Sequence, residues 1–180
     1  MAYRNKIYVS MDADNDLKYY YLMKAWKQND NTDFDFNDVH DINNILDKSE
    51  ESIKAGLRKR FQNTKVFVLL VGDHTRYLYK YVRWEIEEAI KRKIPCIVVN
   101  INGKRSMDEE KCPPIIKNEL AVHVSFNAKI LQYALENWPY WDEQYRKEGK
   151  KDAFYYKDNV YKELGLWLSF ILHNYLVRKN

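Results

Sequence analysis

The stretch VFVLLVGDHTRYLYKYVRWEIEEAIKRKIPCIVVNI (residues 66–101) combines a strand, a helix and a second strand, and this unit decides the fold. Residues 66–72 form a continuous apolar run that ends in glycine, which is typical of a central strand buried on both sides. Between the runs, Val82 and Ile86 recur at helical spacing and predict a buried helix face. Residues 94–101 form a second apolar, β-branched run. A helix between two such strands predicts a parallel sheet with right-handed crossovers.

Similar patterns continue on both sides of this unit. Further strands are predicted at residues 6–11, 34–39 and 121–126, and further helices at residues 17–28, through Ile53, Leu57 and Phe61, and at residues 127–138. We therefore expect an α/β, flavodoxin-like fold with a parallel five-stranded sheet in the order 2-1-3-4-5 and helices on both faces.

The pattern changes after residue 138, and the sequence predicts two parts. Residues 1–138 form the sheet domain, and residues 139–180 form an aromatic-rich helical extension packed on it. Within the extension, residues 160–179 have the wide apolar face of a final amphipathic helix. That helix either packs on the sheet domain or forms a dimer contact, so a homo-oligomer stays open. Gly165 lowers the helix propensity there by about 1 kcal/mol relative to alanine.

Composition argues against several classes of function. The net charge is +4, but basic and acidic residues are interleaved and no dense basic stripe indicates nucleic-acid binding. The longest apolar stretch, residues 164–172, is far shorter than the roughly 20 residues that cross a bilayer. The first ten residues lack the apolar segment of a signal peptide. Cys96 and Cys112 lack metal-binding spacing, so we expect a reduced, cytoplasmic protein without a membrane partner.

Polar residues follow the predicted strands. The carboxyl ends of parallel strands meet at one edge of the sheet, where ligands bind near the switch in strand order. Asp12 and Asp14 follow the first strand and either line this edge or cap the next helix. His40 and Asp41 follow the second strand and are either site residues or solvated turn residues. Ser10 either lines the floor of the site through its hydroxyl or only fills space.

One carboxylate of the quoted helix has an unusual position. Glu87 and Glu88 point away from the apolar stripe, whereas Glu85 stands at its shoulder beside Trp84. On the residues alone, a glutamate at such a shoulder is an ordinary surface residue or a functional one.

Three stretches resemble the ThsB-type TIR-like domains of the Thoeris anti-phage defence system. They are KIYVSMDADND (6–16), FDFNDVHDI (34–42) and residues 64–101. The third is the most specific, because Tyr81-Val82-Arg83-Trp84-Glu85 is similar to the Trp-Val-x-x-Glu arrangement of NAD-cleaving TIR domains, with Tyr81 in place of the tryptophan. The resemblance covers roughly residues 5–126.

The resemblance implies that Glu85 is catalytic and that the chain cleaves the bond between nicotinamide and ribose in NAD. NAD would be the substrate, with no resident cofactor and no metal. The product would be a cyclic ADP-ribose-type signal for a sirtuin-like effector. The expected substrate-binding residues are Ser10, Asp12, Asp14, Asp38, His40, Asp41, Tyr81 and Trp84.

Two other classes stay open. Many TIR domains assemble and signal without catalysis, so the chain could be a non-catalytic module. A receiver-like pocket would use Asp12 or Asp14 with Asp73 to bind a divalent metal, but the usual threonine and lysine after the fourth and fifth strands are missing. No Gly-x-Gly-x-x-Gly or Walker A loop occurs, which favours NAD as a substrate over a Rossmann-bound cofactor.

Overall fold

The computed structural model describes residues 6–28, 37–38, 49–78 and 80–166, without the side chains of Lys27, Asn37 and Asp38. The strands in this part of the chain are β1 (Lys6–Ser10), β2 (Asn37–Asp38), β3 (Val66–Val71), β4 (Cys96–Asn100), β5 (Ala121–Ser125) and β6 (Ala153–Tyr155). They form one sheet in the order β2-β1-β3-β4-β5-β6, and every neighbouring pair is parallel. The predicted α/β class and the order 2-1-3-4-5 are confirmed, with one additional strand.

The helices follow the strands as parallel crossovers require. They are α1 (Leu17–Gln28), α2 (Glu50–Phe61), α3 (Tyr81–Lys91), α4 (Pro114–Lys117), α5 (Ala128–Lys147) and α6 (Asp158–Glu163), and a short 3-10 turn spans Thr75–Tyr77. Ser49 caps α2, because its side chain accepts a hydrogen bond from the Ser52 amide. Ser49 is therefore the side chain that fixes the start of α2.

Alternation along the strands builds a core on each face of the sheet. One core joins Ile7 and Val9 of β1 to α1, α5 and α6. The other joins Tyr8 of β1 to α2, α3 and α4. Because β3 is buried along its whole length between the two cores, it is the central strand that its continuous apolar run predicts.

The helix predicted at residues 127–138 continues to Lys147, so the expected boundary between residues 138 and 139 lies inside α5. Pro139 lacks an amide hydrogen and usually interrupts a helix. Packing offsets that cost here, because Trp138 and Tyr145 both contact the ring of Phe154, with the Tyr145 and Phe154 rings stacked 4.4 Å apart.

Phe154 belongs to β6, which the sequence analysis missed. This short strand pairs with β5, with Val122 opposite Phe154 and His123 opposite Tyr155. Residues 153–156, AFYY, favour a strand, but polar and basic residues surround them and hide this signal. The extension thus shares both a helix and the sheet with the first predicted part.

The prediction of one helix over residues 160–179 is wrong, because the helix ends just before Gly165. The helix α6 ends at Glu163, and Gly165 has a positive φ of 73°. The Gly165 amide donates to the Lys162 carbonyl, and the Leu166 amide donates to the Tyr161 carbonyl at 2.8 Å. These two bonds close the helix with a Schellman motif, for which glycine is the favoured residue. Residues 167–180 lie outside the described residues.

Within the described part of the chain, no helix is long and apolar enough to cross a membrane.

Candidate active site

Glu85 lies where β1 and α3 meet. Tyr8 and Ser10 are two residues apart on β1, so both side chains point to the face that α3 covers. The Tyr8 hydroxyl donates to Oε1 of Glu85 at 2.6 Å, and the Ser10 hydroxyl donates to Oε2 at 2.5 Å. Each carboxylate oxygen therefore has its own hydroxyl donor, and the group is held at two points.

This carboxylate is more deeply buried than the sequence indicates. Glu85 is only 6% exposed and belongs with Val82, Ile86 and Ala89 to the buried face of α3. The expectation that it stands at the edge of the stripe, outside the core, is wrong. The reason is that the hydroxyl groups of Tyr8 and Ser10 on β1 satisfy both carboxylate oxygens inside the core.

Burial raises the pKa of Glu85 from its ordinary value to about 7. The hydroxyl bonds from Ser10 and Tyr8 and the positive charge of Arg60 act in the opposite direction. The group therefore changes its charge near neutral pH, which is unusual for a glutamate and is frequent at functional sites.

The two neighbouring glutamates both form ion pairs, but Glu87 is exposed whereas Glu88 is half-buried. Glu87 pairs with Arg83, and Glu88 pairs with Arg92, each at 2.9 Å and at the spacing of one helical turn. Glu87 is the more exposed of the two, so it is the better control for substitutions of Glu85.

Asp12 organises the turn after β1. It is 2% exposed, and its carboxylate accepts hydrogen bonds from the amides of Asp14 and Asn15 and from the Asn15 side chain. Of the two alternatives for Asp12, these bonds favour the structural one, as a residue that fixes the turn before α1. Asp14 lies exposed in the same turn.

Asp16 is a further buried carboxylate at this edge, and the sequence analysis did not identify it as a site residue. It is 6% exposed, and its Oδ2 has no hydrogen-bond partner among the described residues. The carboxylate fills the space beside Gly72, where an added Cβ would come within 2.2 Å of Oδ2. Burial, and then the charges of Asp12 and Asp73, raise the pKa of Asp16.

The two aromatic residues of the motif, Trp84 and Tyr81, both lie on α3 but make different contacts. Trp84 packs edge-on against Phe61 of α2 at 6.1 Å, and the Arg58 guanidinium lies 5.9 Å from its ring centroid. These contacts join α2 to α3. Tyr81 begins α3 and is half-buried, with Nζ of Lys80 5.3 Å from its ring centroid. Substrate contact by either ring stays a prediction.

The remaining expected site residues are only partly described. Asp38 lies in β2 opposite Ile7, and its side chain is outside the described residues. His40 and Asp41 lie outside them altogether. Their roles at the site stay predictions.

The receiver-like alternative receives little support from Asp73. This residue is exposed and forms a salt bridge to Lys111 at 2.5 Å. In the described part of the chain, no group of three or more histidine, cysteine, aspartate or glutamate residues has the arrangement of a metal site.

The site therefore consists of a buried carboxylate that accepts hydrogen bonds from two hydroxyl groups. It lies near the carboxyl end of β1, where the strand order reverses between β1 and β3. Such a group can attract positive charge that develops on a ligand in a region of low dielectric. Tyr8 was missed as a site residue, although the strand alternation in KIYVSM places it on the same face as Ser10.

The parallel sheet in the order β2-β1-β3-β4-β5, with helices on both faces, is the architecture expected of a TIR-like domain. The chain belongs to the family described as "Thoeris protein ThsB, TIR-like domain", whose family model matches residues 8–106, more than half of the chain. The family is associated with Thoeris defence.

One solved structure is similar over most of the chain, a conserved protein from Enterococcus faecalis V583. The identity is 16%, the alignment covers 90% of this chain and 98% of that one, and the TM-score is 0.43. This likeness is too distant to indicate a function.

Proposed function

We propose that the protein is a NAD-consuming enzyme of Thoeris defence that cleaves the bond between nicotinamide and ribose. The observation that supports this best is the carboxylate of Glu85, buried at the switch in strand order and held by two hydroxyl donors. Membership of the ThsB family places the chain in the defence context.

The chemistry needs a negative charge near the ribose. Breaking an N-glycosidic bond builds positive charge on the sugar, in an oxocarbenium-like transition state. A carboxylate about 4 Å away attracts that charge by roughly 4 kcal/mol at an effective dielectric of 20. This corresponds to about a thousandfold in rate. Because the charge appears mainly at the transition state, the attraction accelerates the step and does not merely tighten substrate binding.

The ionisation of Glu85 adds a pH dependence. Only the carboxylate form attracts a cation, and burial raises the pKa of this group to about 7. NAD cleavage should therefore increase as the pH rises through about 7, as the carboxylate forms in the free enzyme.

The product is proposed to be a cyclic ADP-ribose-type molecule that activates a sirtuin-like effector. This part of the proposal depends on membership of the Thoeris family, and no direct contact between the two proteins is needed. Basal activity is expected to be low until infection triggers the enzyme.

The test compares cells that carry the wild-type protein with cells that carry Glu85→Gln, before and after phage infection. Nicotinamide, NAD and ADP-ribose isomers are measured in protein-free extracts by mass spectrometry. The proposal expects infection-dependent nicotinamide release and a new ADP-ribose isomer with wild type only. The Glu87→Gln variant is the matched control and should behave as wild type, since Glu87 is paired to Arg83 on the surface.

Two outcomes would contradict the proposal. Release of no nicotinamide under any triggering condition would favour the non-catalytic signalling module. Activation of the effector by the intact protein, but not by the protein-free filtrate, would show that the signal passes by contact.

A further inference from the structure

Tyr8 has a fully buried hydroxyl in the middle of an apolar face. The residue is 0% exposed, and its ring stacks on Phe61 at 4.4 Å and an interplanar angle of 21°. Phe67 lies nearly parallel on the neighbouring strand, with its ring centroid 6.0 Å away. The ring thus belongs to a cluster with two phenylalanines, whose own ring centroids lie 6.1 Å apart, and this packing fixes the position of the hydroxyl.

A phenylalanine would fill this place without the cost of burying a hydroxyl. What the hydroxyl contributes is the 2.6 Å bond to Oε1 of Glu85. Ser10 reaches the other oxygen with a short side chain whose hydroxyl is free to rotate. The tyrosine is the rigid member of the pair, because its hydroxyl is attached to a ring that cannot move without disturbing the core.

We propose that Tyr8 is the positioning residue of Glu85: its packed ring holds the hydroxyl that fixes the carboxylate and favours the ionised form. This inference rests on the proposed function for its catalytic meaning, since the carboxylate is the form that attracts the ribosyl cation. Its physical content, the control of Glu85 by Tyr8, is measurable without NAD.

Among the described residues, few other groups act on the pKa of Glu85. Arg60 on α2 is the charged side chain that acts on it, and Ser10 on β1 is the second donor. A hydrogen bond to a charged acceptor is stronger than one to a neutral acceptor, so losing the Tyr8 donor should favour the protonated carboxyl. The pKa of Glu85, already raised by burial, should then rise further.

The deciding experiment titrates Glu85 in wild type and in Tyr8→Phe by NMR, with ¹³C-labelled glutamate carboxyl groups. The Glu85 signal is assigned by its loss in Glu85→Gln. We expect the midpoint in Tyr8→Phe to move upward by about one pH unit, as the loss of one hydrogen bond to a charged group implies. An unchanged midpoint would overturn the proposal.

Tyr161→Phe is the matched control. Tyr161 is also a buried tyrosine, but it lies in the core on the other face of the sheet, where its hydroxyl accepts a bond from the Ser125 amide. This variant should leave the Glu85 midpoint in place; an equal shift there would show that the effect is a general loss of packing.

A second measurement covers the case in which Tyr8→Phe fails to fold. Protein made with 3-fluorotyrosine keeps the wild-type side-chain shape and has a more acidic, more strongly donating hydroxyl. The Glu85 midpoint should move downward in this protein, and no movement would overturn the proposal.

The kinetic arm separates this inference from the proposed function. With NAD as substrate, Tyr8→Phe should lower kcat at neutral pH, leave KM near its wild-type value and regain activity at alkaline pH. Activity equal to wild type at every pH would contradict the positioning role. Absence of NAD cleavage in triggered wild type would instead defeat the proposed function, while the titration would still decide whether Tyr8 controls Glu85.

Discussion

Glu85 and His123 are both buried in the core between the sheet and helices α2, α3 and α4, but they differ in their hydrogen-bond partners. Glu85 has a hydroxyl donor for each carboxylate oxygen. His123 is 0% exposed, and neither ring nitrogen has a hydrogen-bond partner among the described residues. Burial lowers the pKa of His123 to about 4, with a weaker opposite effect of Glu109. The carboxylate is thus equipped to carry charge, whereas the imidazole is kept neutral.

The two groups also act on stability in opposite directions. A glutamate whose folded pKa is raised contributes stability below its unfolded pKa of 4.5 and loses it as the pH rises to about 7. A histidine whose folded pKa is lowered contributes stability above its unfolded pKa of 6.5 and loses it as the pH falls to about 4. Because the windows overlap and the signs are opposite, the two contributions largely cancel in the wild-type protein.

The largest expected effect is on activity. Glu85→Gln keeps the size of the side chain and removes its charge, so NAD cleavage should fall by about a thousandfold, or roughly 4 kcal/mol. The matched variant of the other buried group, His123→Leu, should keep wild-type activity. Initial rates of nicotinamide release under triggering conditions provide the measurement. Equal losses in the two variants would mean that burial, and not charge, makes Glu85 important.

The next effect is on acid stability. His123→Leu removes the group that must take up a proton on unfolding, so the part of acid destabilisation between pH 6.5 and pH 4 that belongs to His123 should disappear. That part is at most about 3 kcal/mol, from the difference between the folded and unfolded pKa values. Urea unfolding at several pH values measures it. Without His123, the free energy of unfolding of the variant should fall from pH 5 to pH 7. This fall is the contribution of Glu85, which His123 offsets in the wild-type protein.

The same substitution that abolishes activity should stabilise the fold at alkaline pH. Glu85→Gln removes the cost of burying a charge. Part of that gain is lost, because the amide has only one neutral acceptor oxygen for Tyr8 and Ser10, and the other hydroxyl must turn to accept from the amide NH2 group. The free energy of unfolding at pH 8 should rise by about 2 kcal/mol over wild type, and the gain should vanish below pH 4.5. A loss of stability at pH 8 would show that the two hydroxyl bonds outweigh the cost of burial.

Much of the fold followed from local patterns in the sequence. The helix at residues 17–28 has the predicted bounds. The parallel sheet follows from strands that alternate with helices, and 2-1-3-4-5 is one of the common strand orders for such sheets. The structure of the extension was harder to predict. Pro139 and Gly165 both favour the end of a helix, but a helix ends only at Gly165. Trp138 and Tyr145 gain aromatic contacts with Phe154 across Pro139. The closing bonds at Gly165 end α6, and local propensity could not distinguish these outcomes.

The site was predicted in part. The motif singled out Glu85, whose catalytic role stays a prediction. Its depth in the core depends on Tyr8 and Ser10, which lie 77 and 75 residues earlier in the chain. Helical periodicity places a residue on a face, whereas burial of a polar group depends on partners from other elements. For the same reason Asp16, one of several acidic residues in its turn, gave no signal of its burial beside Gly72.

The smallest expected effect is that of a substitution at Asp16. This residue combines features of the two groups compared above. It lies at the same sheet edge as Glu85, and like His123 it has a polar atom without a hydrogen-bond partner among the described residues. Burial and the charges of Asp12 and Asp73 raise the pKa of Asp16, so its contribution to stability is present at low pH and is lost as the carboxylate ionises. Asp16→Asn keeps the shape that fits beside Gly72 and removes the charge. The free energy of unfolding at pH 7 should rise by about 1 kcal/mol, and the gain should disappear at low pH. A loss of stability at pH 7 would mean that the charge of Asp16 has a favourable partner, and Asp16 would then belong with Glu85 as a carboxylate whose charge the fold supports.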